Sequence, residues 1–434
     1  MKIFVLIVFI LMYASIIVFN KYKVYASLAA AVITSVALLI SKHLTFLGML
    51  AEIDFNVILM LLGIMLTVGV FSESGMPSKI ADKIMSKIPS ALVAIVLLSV
   101  ISGIISAFVD NVATVLMLAP IGLAVAKKAE VSPIPVIISI AVSSNLQGAA
   151  TLVGDTTSIM LGSFADMNFF EFFFLDGKLS IFWAVELGAL ITTPILFFLF
   201  RKDNKKIKIA SENIQVKTLV PTILLCLNMG LLVLSSFLTD KIAFLAPIAP
   251  MINGIICILF GIISIVFYFA KFKEPFVSTC KKLIDFETIL FLLFLFIVII
   301  AVETVGIIDD ISQMFISLGN KNVFLLYTVI VFASVVISAF IDNIPYVATM
   351  LPVVSGLALG LPNVSPYLLY FGLLCGATLG GNLTPIGASA NVVGIGILRK
   401  EGYNVKFSDF FKIGIPFTLA AVLSGYLLIW FVWA

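Results

Sequence analysis

Charge is scarce in this chain of 434 residues. Asp, Glu, Lys and Arg make up 11% of it, where a soluble domain carries about 25%. Histidine occurs once, as His43, so no histidine-rich metal site can form. The four cysteines, Cys226, Cys257, Cys280 and Cys375, have neither the spacing of a disulfide frame nor that of a zinc site. No nucleophile–base set is recognisable, which argues against an enzyme. The net charge of +3 gives no sign of a nucleic-acid partner. What is abundant is apolar: 62% of the residues are hydrophobic, 38 of them phenylalanines read as lipid-facing and packing surface. Runs long enough to cross a hydrocarbon core of about 30 Å recur along the whole length. The composition predicts an all-α polytopic protein in a lipid bilayer, with no soluble domain of any size.

Full spans are expected near 3–19, 24–42, 54–71, 181–200, 219–238, 247–270, 287–304 and 412–433. The first reads as a retained helix rather than a secretory signal, because it is long and has a counterpart at 219–239. Two hairpin-like pairs, 91–126 and 323–359, lie between the spans, and two interrupted spans, 133–165 and 366–398, follow them. The stretch 77–90, "PSKIADKIMSKIPS", has Lys79, Lys83 and Lys87 alternating with apolar residues, as in a helix lying in the interface. Residues 201–217 are the one strongly polar stretch and divide the chain into 1–200 and 218–434.

The halves repeat each other. "IDFNVILMLL" at 53–62 is echoed by "IDFETILFLL" at 284–293, and "ISAFVDNVATVLMLAP" at 105–120 by "ISAFIDNIPYVATMLP" at 337–352. "AATLVGDTTS" at 149–158 then faces "NLTPIGASAN" at 382–391. Internal symmetry of this kind marks a secondary transporter. If each hairpin returns to the side it left, each half makes five crossings, about ten in all, and the odd number inverts one half relative to the other. Both termini are then placed outside. Of the 26 Lys and Arg only Lys2, Lys42, Lys178, Lys241 and Lys321 fall outside with them, as the positive-inside bias requires of a cell-membrane protein.

Asp110-Asn111 and Asp342-Asn343 sit inside the oily repeats. A carboxylate at membrane depth costs several kcal/mol and is a functional hypothesis by default. A plain N-cap would serve with Ser or Asn and no charge. Irregular backbone at that depth survives where it lines a cavity. The pairs are therefore read as tips of two re-entrant hairpins that meet near the midplane. The interruptions are the second pair of sites. Gly148, Gly154, Gly380, Gly381, Pro385 and Gly387 would unwind the helices there. The freed carbonyls and the Thr151 and Thr384 hydroxyls would suit a small cation. Glycine for close helix packing is the alternative. Asp155 breaks the symmetry, since Ala388 is its counterpart; it is either a proton carrier or a cap on 156–165. Glu186 lies inside a span as a structural partner, and Glu73 and Glu303 lie near span ends. With no Lys or Arg in the core, a proton, Na⁺ or a neutral solute suits the site better than a bare dianion.

"FVDNVATVLMLAPI", "FIDNIPYVATMLPVV" and "GGNLTPIGASANVVGIGI" resemble the ion transporter superfamily. They are most similar to its arsenite permease, NhaD-type sodium–proton antiporter and melanosomal P-protein branch, with citrate permeases and sodium–dicarboxylate symporters further off. The resemblance spans nearly the whole chain. It implies two inverted five-helix repeats, each with a re-entrant hairpin and an interrupted helix. It also implies a transport domain from 91–165 and 323–398 on a scaffold of the remaining helices, elevator motion and a homodimer. The expected substrate and ion site comprises Asp110, Asn111, Thr114, Thr151, Gly154, Asp155, Asp342, Asn343, Asn382, Thr384, Gly387 and Asn391. A coupling Na⁺ is expected at Asn111, Gly154, Asn343 and Gly387, with H⁺ as the other coupling ion and no cofactor. The expected activity couples movement of Na⁺ or an arsenite-like metalloid to a proton or cation gradient; the alternative is a sodium-coupled di- or tricarboxylate symporter. Two departures bear on the substrate. Gly154-Asp155-Thr156-Thr157 stands where many relatives have Gly-Asp-Pro-Pro. Asp-Asn stands where the dicarboxylate branch has Ser-Asn-Thr.

Overall fold

Among the described residues each half of the chain lays down ten helices in one order. A computed structural model describes residues 1–207, 214–238, 246–273, 275–318, 322–361 and 364–434. The first half contains α1 (Lys2–Val18), α2 (Lys23–Ile40), α3 (Phe46–Ala51), α4 (Phe55–Glu73), α5 (Met76–Met85), α6 (Ala91–Ser106), α7 (Asn111–Ala129), α8 (Pro133–Gly148), α9 (Thr156–Phe164) and α10 (Ile181–Leu199). The second contains α11 (Val220–Leu238), α12 (Ile252–Phe272), α13 (Phe276–Leu283), α14 (Phe286–Thr304), α15 (Ile307–Leu318), α16 (Val323–Ser338), α17 (Asn343–Leu359), α18 (Pro366–Gly380), α19 (Ser389–Lys400) and α20 (Phe407–Trp433). The fold is an all-α polytopic membrane fold. Among the described residues eight helices are long and apolar enough to cross a membrane. A two-stranded ribbon, Phe174–Leu175 against Lys178–Leu179, precedes α10.

The boundaries depart from the sequence reading at a few places, each with a local cause. Residues 246–251 form a 3₁₀ turn rather than the start of α12, because Pro247 and Pro250 cannot supply helical N–H donors. Helix α20 starts at Phe407 rather than 412, since the Asp409 carboxylate accepts the Lys406 N–H at 3.2 Å and so satisfies a free donor at that end. The amphipathic stretch 77–90 is helical only as α5. Pro77, Ala81 and Met85 are buried, while Lys79, Lys83 and Lys87 are exposed. The short helices α3, α13 and α15 were not anticipated. Lys208, Lys241, Lys321 and residues 208–213 of the polar stretch lie outside the described residues.

Two packed groups emerge. In one, α4 crosses α12 and α2 packs on α14. The α4–α12 crossing is a contact of bare backbones: a Cβ on Gly63 would lie 2.1 Å from the Cys257 carbonyl carbon, and one on Gly261 would lie 2.9 Å from Gly63 Cα. Only glycine permits so close an approach. In the other group, α6 packs on α8 and α16 on α18. Helices α10 and α20, placed with the remaining helices from sequence, pack on each other and on α8 and α18.

The feet of the two hairpins have different neighbours. The polar stretch after α10 stitches down the first: the Ala91 N–H donates to the Lys205 carbonyl at 2.9 Å, Ile207 N–H to Pro89 at 2.9 Å, and Lys205 pairs with Glu130 at 3.7 Å. The second is held by the far end of α20. Tyr327 Oη donates to the Tyr426 carbonyl at 2.8 Å, and Phe324 meets Trp430 edge-on at 4.8 Å. The Trp433 indole donates to Leu179, next to the start of α10.

Candidate functional site

Both hairpins turn through a short non-helical link, Ala107–Asp110 and Ala339–Asp342, and both restart on an aspartate cap. Asp110 Oδ1 accepts the Ala113 N–H at 3.0 Å, and Asp342 Oδ1 accepts the Ile344 N–H at 3.1 Å. The cap role weighed from sequence is therefore real at both tips. Capping uses one carboxylate oxygen. The second oxygen of Asp342 accepts from Ser389 Oγ at 2.9 Å, which ties the tip to the start of α19.

The helix breaks dock on these turns through threonine. Thr151 Oγ1 donates to the Ala107 carbonyl, and Thr384 Oγ1 to that of Ala339. Each hydroxyl satisfies a carbonyl that the hairpin turn strands in an apolar setting. The sequence reading offered these hydroxyls to a cation. The structure engages both protons, and the Thr384 oxygen also accepts the Gly387 N–H at 3.1 Å and the Ile386 N–H at 3.3 Å. Gly154 and Gly387 complete the docking. A Cβ on Gly154 would lie 2.4 Å from the Gly148 carbonyl oxygen, and one on Gly387 would lie 2.6 Å from that of Gly381.

A chain of carboxamides joins the halves. Asn111 Nδ2 donates to Asn145 Oδ1 at 3.0 Å. Asn145 Nδ2 donates to the Thr378 carbonyl at 2.8 Å and to Asn382 Oδ1 at 3.1 Å. Asn382 Nδ2 donates back to the Val142 carbonyl at 3.0 Å. Thr157 and Thr378 hydroxyls also meet, at 3.0 Å. Asn145, Thr378 and Ser389 were not singled out from sequence. Asn145 left a trace, as a carboxamide at the end of an apolar helix.

Two buried acceptors stand apart. Asp155 caps α9, with Oδ1 accepting the Ser158 N–H at 2.9 Å and Thr157 Oγ1 at 2.6 Å. Its Oδ2 is buried without a hydrogen-bond donor. Asn391, in the first turn of α19 after the other break, donates to the carbonyls of Gly381 (3.1 Å) and Thr384 (3.2 Å), and its Oδ1 is likewise without a donor.

A cavity of about 930 Å³ opens beside these elements. Asp110, Asn111, Gly154, Asp155 and Asn343 line it. Thr114, Thr151, Asp342, Asn382, Thr384, Gly387 and Asn391 do not. Thr114 is fully buried and reaches the Val109 carbonyl at 3.4 Å. The mouth carries charge that the sequence reading did not place there. Helix α13 brings Lys281 and Lys282 to the rim, and Lys282 pairs with Glu73 at 2.6 Å. Glu186 and Glu303 lie outside the lining. Among the described residues no three His, Cys, Asp or Glu cluster closely enough to hold a metal ion. A cation here would have to draw on backbone, hydroxyl and carboxamide oxygens with at most two carboxylates.

Residues 4–362 and 242–434 match the model of the citrate transporter family, CitMHS. The chain belongs to that family. It is a membrane transporter of a transporter family, not an enzyme. It is similar to a 46 kDa membrane protein of Mycobacterium leprae, at 31% identity over 99% of this chain and 98% of that one. An uncharacterized transporter of Mycobacterium tuberculosis is 29% identical, over 95% of this chain and 93% of its own. The human P protein is 27% identical over 87% of this chain, which spans 54% of that longer protein. Among solved structures, the YdaH transporter of Alcanivorax borkumensis shares the fold with a TM-score of 0.59 at 16% identity, covering 88% of this chain and 86% of that one. This member of the citrate transporter family thus places paired hairpin tips, two helix breaks and a cavity at the junction of its two packed groups.

Proposed function

We propose that this protein is a secondary active transporter of the elevator type. It couples movement of Na⁺ or a small neutral metalloid of the arsenite kind to a proton or cation gradient. The observation that carries the reading is the cavity in which both tip asparagines, Asn111 and Asn343, converge with Asp110 and Asp155. Two repeats contribute to one pocket, as expected of a site between related halves. The moving unit is α6–α10 with α16–α20, and α1–α5 with α11–α15 form the scaffold. The hairpins are re-entrant and enter from opposite faces. Supporting this, the first stands on the polar stretch after α10 and the second on the opposite end of α20. The buried acceptors Asp155 Oδ2 and Asn391 Oδ1 are places for a proton or a coupling cation.

Reconstitution tests the reading. Proteoliposomes are offered Na⁺, arsenite and di- and tricarboxylates in turn, with internal pH recorded. Exchange of Na⁺ or arsenite against a pH or cation gradient is expected. Current without stoichiometric coupling would make the protein a channel, and sodium-driven carboxylate uptake would make it an anion symporter.

The distribution of basic residues supports both termini lying outside. A cysteine at Lys206→Cys or Lys273→Cys is expected to react only with membrane-permeant reagents in intact cells, and one at Lys42→Cys or Lys178→Cys with impermeant ones. Labelling of position 206 by an impermeant maleimide reverses the topology.

Asp155→Asn separates carrier from cap. Asparagine caps about as well as aspartate, so the bonds from Ser158 and Thr157 survive. The variant is expected to retain exchange and to lose its dependence on pH, measured in proteoliposomes across a pH series. An unchanged pH profile reduces Asp155 to a cap.

A further inference from the structure

We propose that Tyr13 is a positioning residue of the second hairpin, holding α17 against the scaffold in the state where the cavity opens beside α13. The proposal rests on the elevator reading. Tyr13 lies on α1, which packs with α2 and α14. Its hydroxyl donates to the Pro345 carbonyl at 2.6 Å and meets Thr349 Oγ1. Thr349 Oγ1 donates to the same carbonyl at 3.0 Å. Three polar groups from two helices therefore close on one point, two residues beyond Asn343 at the cavity. The ring is set by Phe9, whose centroid lies 4.9 Å from that of Tyr13.

The bond is one-sided. Helix α11, the counterpart of α1, contains no tyrosine, and Met117, which has no hydroxyl, occupies the first-hairpin position that matches Thr349. The first hairpin cannot make the same grip when the moving unit reaches its other position. Any rigid-body displacement of α17 past α1 must break the Tyr13 contact, and hydrocarbon offers no replacement partner. The contact thus stabilises one end state over the other. A conformational bias needs such a differential interaction.

The test reads populations and needs no substrate. Met117 lines the cavity. A Met117→Cys reporter, with Cys226 and Cys280 changed to serine, is labelled by a membrane-impermeant maleimide in right-side-out and inside-out vesicles. In Tyr13→Phe the labelling rate from the face opposite the α13 rim should rise about fivefold, the factor that one net hydrogen bond supplies. Phenylalanine keeps the ring packing, so yield and gel-filtration profile should not change. Thr349→Val, which leaves Tyr13 intact, should raise the rate in the same sense. Combining the two should add little, because they share one interaction. A reporter that reacts from both faces in the parent, with rates unchanged in both single variants, overturns the role of Tyr13. A reporter that reacts from one face only, in the parent and every variant, overturns the elevator reading beneath it.

Discussion

Asp110→Asn and Asp342→Asn are each expected to abolish coupled transport, by roughly a hundredfold or more, the loss that follows removal of a positioned proton-transferring group. The protein should still fold and insert. An asparagine oxygen can accept the N–H bonds from Ala113 and Ile344 that start α7 and α17. Neutralising a carboxylate at membrane depth removes a desolvation cost rather than adding one. What is lost is charge, and with it the proton–cation exchange that the proposed mechanism assigns to these carboxylates. At Asp342 the change reaches further, because its second oxygen takes the Ser389 hydroxyl proton. An amide nitrogen in that place would force Ser389 to accept instead. Substrate exchange in proteoliposomes, with gel filtration as the folding control, decides the matter. Wild-type rates and pH profile in both variants would remove the duplicated aspartates from the mechanism.

Gly387→Ala is expected to cost about 3 kcal/mol or more, at the upper end of what overpacking a close-packed site does. The added Cβ would lie 2.6 Å from the Gly381 carbonyl oxygen and 2.8 Å from those of Ala339 and Ser338. All three belong to backbone, so none can swing aside as a side-chain tip would. The break would have to lift off the hairpin turn, and the Thr384 bond to Ala339 would go with it. A control within the same segment is at hand. A Cβ on Gly396 meets nothing within 4 Å, and alanine there should gain up to about 1 kcal/mol of helix propensity. Thermal unfolding in detergent should show a lower midpoint for Gly387→Ala and an unchanged or higher one for Gly396→Ala. Equal midpoints would mean that the break is not docked in this way.

Much of the fold was legible because a bilayer leaves few choices. Backbone polar groups must be satisfied within each span, so apolar runs became helices at nearly the expected residues, and the repeat supplied the second half from the first. Boundaries slipped where a local device outweighed hydropathy, as at Pro247 and Pro250 or at the Lys406 N–H held by the Asp409 carboxylate. The short amphipathic helices were harder to see, because they neither span nor repeat with a strong motif. Missing α13 meant missing the lysines at the cavity rim.

The candidate site divides in the same way. Charge and glycine in an oily run are visible in a linear sequence, since each carries a cost that demands a reason. Asp110, Asp155, Asp342, Gly154 and Gly387 announced themselves by that cost. What a polar side chain is bonded to is a long-range matter. Asn145 and Asn382 are 237 positions apart and bond at 3.1 Å, and nothing in either segment names the other. The same holds for Tyr13, which reads as an ordinary aromatic in an apolar helix until α17 is folded against it. The sequence by itself determined that the chain spans a membrane, repeats itself and carries acids and broken helices at matching depths, because hydrophobic transfer and helix propensity are local terms that add along the chain. Only the tertiary structure decided which of those groups face one cavity and which are spent on each other. Hydrogen bonds across hundreds of residues depend on distance and angle, and neither exists until the helices pack.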